Sequence, residues 1–243
     1  MDALVVGAGE MGRWFAEVVD ADVAFADRDP EAAAAAAEGA TGSARAVELS
    51  ADAAVDVVCV AVPLPAAVDA IERHAPKATA AVVDVTGAMA APLDAMARVA
   101  PDAQRMSLHP LFAASAAPGN VAVSTAADGP VTTALREALT DAGNELVPVG
   151  ADEHDRAMET VQGRAHAAIL AFALAADDVP AGLETPVYEA LSDLADRVTG
   201  NTPRVYADIQ DTFGGAEDVA AAAESLADAD GETFAALYQD AGE

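Results

Sequence analysis

Along the first 150 residues, short runs of apolar and β-branched residues alternate with alanine-rich stretches of helical length. ALVVGAG (Ala3 to Gly9), ADVAFAD (Ala21 to Asp27), VDVVCVAVP (Val55 to Pro63), AAVVDV (Ala80 to Val85), AQRMSL (Ala103 to Leu108), NVAVST (Asn120 to Thr125) and ELVPVG (Glu145 to Gly150) each predict a strand. PEAAAAAAEGA and PLPAAVDAIERHA between them predict helices, alanine being the strongest helix former. Strands and helices alternating in this way predict a parallel sheet covered by helices on both faces. After about residue 150 the period-two signal almost vanishes. The unbroken stretch Glu153 to Ala176 predicts one long helix, and PVYEALSDLADRVTG a second that Gly200 closes. The acidic, alanine-rich remainder from Asp208 predicts further helix, interrupted at Gly214-Gly215. The expected organisation is α/β, with a dinucleotide-binding domain of Rossmann type over residues 1–150 and an all-helical domain over 151–243.

Composition narrows the function classes. The chain is 53% hydrophobic, so it can bury a core, yet its 41 acidic and 12 basic residues give a net charge of -29. Such a field repels nucleic acid, which is excluded as a partner. Lys77 is the only lysine, and the other eleven basic residues are arginines. Many carboxylates around an alanine-rich core suit a protein of an extreme halophile, since molar salt screens their repulsion to within about 3 Å. The single Cys59 lies in an apolar run and reads as a small core residue, so no disulfide framework forms within one chain. No apolar stretch is long enough to span a bilayer, and Asp2 stands where a signal peptide carries positive charge. A cytoplasmic protein with no membrane partner is expected.

Candidate chemistry begins at the N-terminus. Gly7, Gly9 and Gly12 form GxGxxG between the first strand and the first helix, and Asp27 ends the second strand twenty positions after Gly7. Such glycines admit a pyrophosphate to the helix N-terminus, and the acid accepts hydrogen bonds from ribose hydroxyls. NAD is the expected cofactor, because a carboxylate at that place repels a 2′-phosphate; Arg28 directly after it keeps NADP open. Met11 inside the loop and Val62 near the end of the third strand are further expected cofactor contacts. No metal is expected.

The four histidines mark the other end of the site. His74 sits on a helix expected to face solvent. His109 follows the strand AQRMSL, at the sheet edge where such folds bind ligands, and Pro110 is expected to end strand pairing there. At 100° per residue, Asp155, Glu159, Gln162 and His166 form one polar stripe on the long helix, where Gln162 and His166 adjoin apolar sequence and need partners or a ligand. His154, with Asp152 and Asp155, is placed to serve its own helix's N-terminus.

GxGxMG, HPLF after a late strand, EHDRAMETVQGRAH opening a helix, and RVTGNTPRVYADIQ further on resemble, in order over residues 1 to about 210, the prephenate and arogenate dehydrogenases of tyrosine biosynthesis. The resemblance implies a catalytic role for His109, and substrate binding by His154, Gln162, His166 and Arg197, the last falling on the substrate-carboxylate arginine. It also implies a homodimer built through the helical domain. One motif departs: where the family has D-x-x-S-x-K, this chain has DVTGAM, with Gly87 at the serine position and Met89 at the lysine position. Thr86 is the substitute hydroxyl expected at the substrate. The expected activity is NAD-dependent oxidative decarboxylation of prephenate; no residue separates prephenate from arogenate, and the departure also admits a catalytically weakened, regulatory NAD-binding homologue.

Overall fold

The computed structural model describes residues 1–242. It forms two compact units that divide between Asp155 and Arg156. The first contains strands β1 (Asp2–Val6), β2 (Asp22–Ala26), β3 (Ala44–Ala46), β4 (Val55–Val60), β5 (Ala78–Asp84), β6 (Gln104–Pro110), β7 (Asn120–Ala127) and β8 (Glu145–Pro148). Its helices are α1 (Glu10–Val18), α2 (Pro30–Gly39), α3 (Ala67–His74), α4 (Ala90–Val99) and α5 (Pro130–Asp141).

All eight strands join one sheet in the order β3-β2-β1-β4-β5-β6-β7-β8. Central strands read as continuous apolar runs because both of their faces are covered. Val5, Cys59 and Val83 face a cluster holding Trp14, Phe15, Leu135 and Leu139. Their neighbours Leu4, Val58 and Val82 face another, built on Ile71, Leu93 and Met96. Strand order reverses between β1 and β4, which opens a crevice at their carboxyl ends, the place where such sheets take ligands.

Three expectations need correction here. The sheet is not wholly parallel: β7 runs antiparallel to β6, while β8 is parallel to β7. The link Leu111–Gly119 is shorter than the dozen or so residues a parallel crossover needs, so the chain must turn straight back. Pro110 therefore does not end the pairing, since it sits opposite Val121 and Leu111 N still donates to Asn120 O at 2.9 Å. His74 is buried rather than solvated. Lys77 curls back to place Nζ 3.1 Å from His74 Nδ1 and 2.6 Å from Ala51 O, and burial with this cation lowers the histidine to about 4.

The sequence from Ala151 is helical. α6 (Ala151–Met158) spans the division between the units and passes into a π-helical segment over Glu159–Arg164, then α7 (Ala165–Ala175). α8 (Pro186–Thr199), α9 (Pro203–Phe213), α10 (Ala216–Asp228) and α11 (Gly231–Asp240) follow. One uninterrupted α-helix was the expectation; the π segment instead shifts the angular register of everything after it. Its cause is tertiary. A Cβ on Gly163 would collide with the Gly214 carbonyl, and one on Gly215 would lie 2.6 Å from Arg164 N, so the Gly214-Gly215 break packs directly on the widened turn. Gln210 Nε2 donates to the Gly163 carbonyl at 2.7 Å, satisfying an acceptor the π turn displaces. Among the described residues, no helix is long and apolar enough to cross a membrane.

Candidate active site

The glycine loop shows three different demands for a missing side chain. Gly7 has φ +105, and a Cβ there would strike the Ala61 carbonyl; a Cβ on Gly12 would strike the Gly7 carbonyl. Both are required by close backbone approach. Gly9 differs, since a Cβ there would meet nothing within 4 Å, so this glycine borders open space at the N-terminus of α1. A cradle closed on two sides and open on the third, at a helix end whose amides lack a side-chain cap, fits a pyrophosphate. Asp27 adjoins it: Oδ2 accepts from Ala8 N at 2.8 Å and Oδ1 from Asp29 N at 2.9 Å, which fixes the carboxylate beside the loop with lone pairs remaining for ribose hydroxyls. Arg28 is exposed next to it, while Met11 and Val62 are half-buried against the two core clusters.

At the carboxyl ends of β5 and β6 a second group of side chains converges. His109 lies near the end of β6, 8% exposed, with Nδ1 2.9 Å from His154 Nε2. His154 is 2% exposed, and its Nδ1 is 2.8 Å from Asp155 Oδ1. Asp155 in turn accepts from the amides of Met89 (2.9 Å) and Ala90 (3.0 Å), where α4 begins. Burial would raise this carboxyl, but the bonds from His154, Ala90 and Met89 outweigh it and hold it below the usual range. Burial, then the neighbouring His154, lowers His109 to about 4, so its ring is neutral at working pH.

These contacts revise two expectations. His154 does not serve its own helix's N-terminus, and being nearly sealed it stands behind His109. Asp155 does cap a helix, but it is α4 and not the helix it belongs to. Its two oxygens are therefore occupied away from the polar stripe to which 100° spacing assigned it.

Beside them lies Asp84, fully buried at the end of β5 and not singled out by the sequence. Thr86 donates to its Oδ1 from both N (3.1 Å) and Oγ1 (2.7 Å), whereas Oδ2 meets no donor among the described residues. Burial pushes this carboxyl up to about 7 against the pull of the Thr86 hydroxyl and amide. The Thr86 hydroxyl thus gives its proton to Asp84 and presents lone pairs elsewhere. Gly87, with φ +97, adjoins the histidine: a Cβ there would stand 3.4 Å from His109 Nε2.

The helical unit holds the remaining candidates. His166 meets the ring of Tyr206 edge-on, with centroids 4.9 Å apart, and its buried Nδ1 has no hydrogen-bond partner among the described residues. Burial lowers this histidine as well. Asn201 Nδ2 donates to the Tyr206 hydroxyl (3.1 Å) and to the Arg197 carbonyl (2.6 Å), tying α8 to α9 beside His166. Gln162 lies half-buried in the π segment. The Arg197 side chain is exposed and forms no ion pair among the described residues. Tyr206 and Asn201 were not singled out from sequence as site residues, although both lie in the quoted RVTGNTPRVYADIQ stretch.

A neutral histidine held by a histidine and a carboxylate, at the carboxyl edge of the sheet whose first βα turn forms a dinucleotide cradle, is the equipment of a dehydrogenase. Residues 16–127 match the nucleotide-binding domain of prephenate dehydrogenase. Over 260 aligned residues, covering 97% of this chain and 88% of the relative, the sequence is 33% identical to a 4-amino-4-deoxyprephenate dehydrogenase of Streptomyces pristinaespiralis. The chain belongs to the prephenate dehydrogenase family. Solved structures share the fold at lower identity. A prephenate dehydrogenase from A. aeolicus, in complex with hydroxyphenyl propionate and NAD+, has TM-score 0.68 and 16% identity, covering 92% of this chain and 87% of that one. An arogenate dehydrogenase from Synechocystis has TM-score 0.63 and 16% identity, covering 100% and 98%. As a member of this family the chain is an oxidoreductase with a nucleotide-binding domain; the cradle at Gly9, in the first βα turn, lies just ahead of the matched residues 16–127.

Proposed function

We propose that this chain is an NAD-dependent prephenate dehydrogenase, which oxidatively decarboxylates prephenate to 4-hydroxyphenylpyruvate. The observation that carries the reading is His109: a buried, neutral imidazole whose Nδ1 faces His154, leaving Nε2 as the nitrogen that carries the lone pair. Gly7, Gly9, Gly12 and Asp27 hold the dinucleotide, with Met11 and Val62 at its margins and Arg28 bearing on NAD against NADP. Bound NAD supplies the hydride acceptor. His109 Nε2 takes the proton of the ring 4-hydroxyl, which assists departure of hydride from the same carbon. The electron pair of the ring-to-carboxylate bond enters the ring as carbon dioxide leaves, and the proton returns to the phenol oxygen.

The two substrate carboxylates need fixed donors within a strongly acidic chain. Arg197 offers a planar fork, and His166 and Gln162 offer further donors. Thr86 contributes an acceptor oxygen. Support for a homodimer through the helical unit comes from its apolar exposure: Leu174 is 89%, Val187 71% and Tyr238 75% exposed. The cytoplasm and molar salt are its proposed setting, given a charge of -29.

A second reading takes an amine in place of the 4-hydroxyl. It is favoured by the Streptomyces relative together with the local geometry, since Gly87 puts no side chain beside His109 Nε2 and the Thr86 oxygen is an acceptor. An amine brings the additional donor such a site can bind. Following the absorbance of reduced cofactor with prephenate, arogenate and 4-amino-4-deoxyprephenate in high salt ranks these readings. His109→Asn is expected to keep NAD binding and lose about two or more orders of magnitude in turnover; near-normal turnover overturns the assignment.

A further inference from the structure

We propose that Asp155 and His154 are positioning residues that turn the buried His109 into a working base, by fixing its tautomer and by drawing the abstracted proton's charge onto His154. The inference rests on His109 being the base, as argued above.

The tautomers follow from two backbone amides. Met89 N and Ala90 N can only donate, so Asp155 must accept from them and stays a carboxylate. Facing a carboxylate, His154 Nδ1 must carry hydrogen, and in a neutral ring its Nε2 is then an acceptor. His109 Nδ1 must accordingly be the donor across the 2.9 Å contact. The lone pair is thereby placed on His109 Nε2, the nitrogen on the Gly87 side. The N-terminus of α4 dictates which end of His109 is basic.

The same chain of bonds answers a difficulty. A histidine this buried resists protonation, and a base that cannot hold its proton transfers it poorly. As the substrate O–H breaks and His109 Nε2–H forms, the Nδ1 proton shifts to His154 Nε2. One proton enters and one moves on, so the imidazolium becomes His154, 2.8 Å from Asp155. Asp155 remains ionised because three donors hold it. The other titratable group that bears on Asp155 is Asp84, across the site at the end of β5. Asp152, Glu153 and Arg156, on the same helix, are exposed.

The test compares His154→Phe and Asp155→Asn with the parent enzyme. His154→Phe leaves the Asp155 bonds to α4 untouched, so it remains informative if Asp155→Asn disturbs folding. Each is expected to lower kcat about 10²-fold, with substrate KM within about threefold and NAD affinity unchanged. In Asp155→Asn the acid limb of kcat moves to lower pH, because the imidazolium loses its carboxylate; a purely structural role leaves that limb in place. The proposal is overturned by a His154→Phe kcat within about fivefold of the parent, by losses confined to KM, or by an unmoved limb. Failure of the base assignment reads differently: there, His109→Asn itself retains turnover.

Discussion

Replacing Asp84 by asparagine tests whether a buried carboxyl with one unpartnered oxygen shapes the stability of this protein. Burial moves Asp84 from 3.8 to about 7. The folded chain thus keeps this proton up to about neutrality, while the unfolded chain releases it near pH 4. Stability from this group is fully present below about pH 3.8 and is lost as pH rises through about 7. At about 1.4 kcal/mol for each pH unit, the whole loss comes to about 4 kcal/mol, of which about 3 falls between pH 5 and pH 8. Asparagine keeps the acceptor for both Thr86 bonds and has no proton to release. Urea denaturation of the parent and the Asp84→Asn variant across that range is expected to give a stability difference that shifts by about 3 kcal/mol in the variant's favour at the alkaline end. Surface carboxylates contribute equally to both chains and cancel. A difference that stays flat to within about 0.5 kcal/mol refutes the reasoning and makes Asp84 an ordinary ionised acid.

Four other substitutions probe separate parts of the chain. Gly7→Ala is expected to destabilise the fold strongly through its clash with the Ala61 carbonyl, whereas Gly9→Ala should leave the melting temperature within a few degrees and weaken NAD binding, as read by thermal melts and cofactor titration. Arg197→Ala should raise the substrate KM with kcat little changed; an unchanged KM makes the arginine structural. Thr86→Val removes two functions, the donor to Asp84 and the acceptor facing outward, so it should lower turnover; unchanged kcat and KM dismiss Thr86 from the site.

What could be read in advance depended on how local the cause was. Gly7, Gly9 and Gly12 are separated by a few residues of one turn, so their spacing alone carried the geometry. His109 was legible because it follows the strand AQRMSL at the sheet's carboxyl edge. The reversal of β7 was available in the shortness of Leu111–Gly119, but hydrophobic pattern says nothing of strand direction. The π segment could not be read from periodicity, since it arises where Gly163 meets the Gly214 carbonyl. Likewise His74 looked solvated until Lys77 folded onto it, and Asp155 looked like one member of a stripe because its amide partners lie 65 and 66 positions away.

That distance along the chain also orders events during synthesis. All eight strands of the sheet are complete by Pro148, but the acceptor for His109 and the cap for α4 arrive only with His154 and Asp155. The glycine loop and Asp27 proposed to hold the nucleotide lie within the first 27 residues, whereas the proposed orientation of His109 waits for the last two residues of its unit. A nascent chain therefore completes the proposed dinucleotide cradle before it emerges with the residues proposed to orient His109.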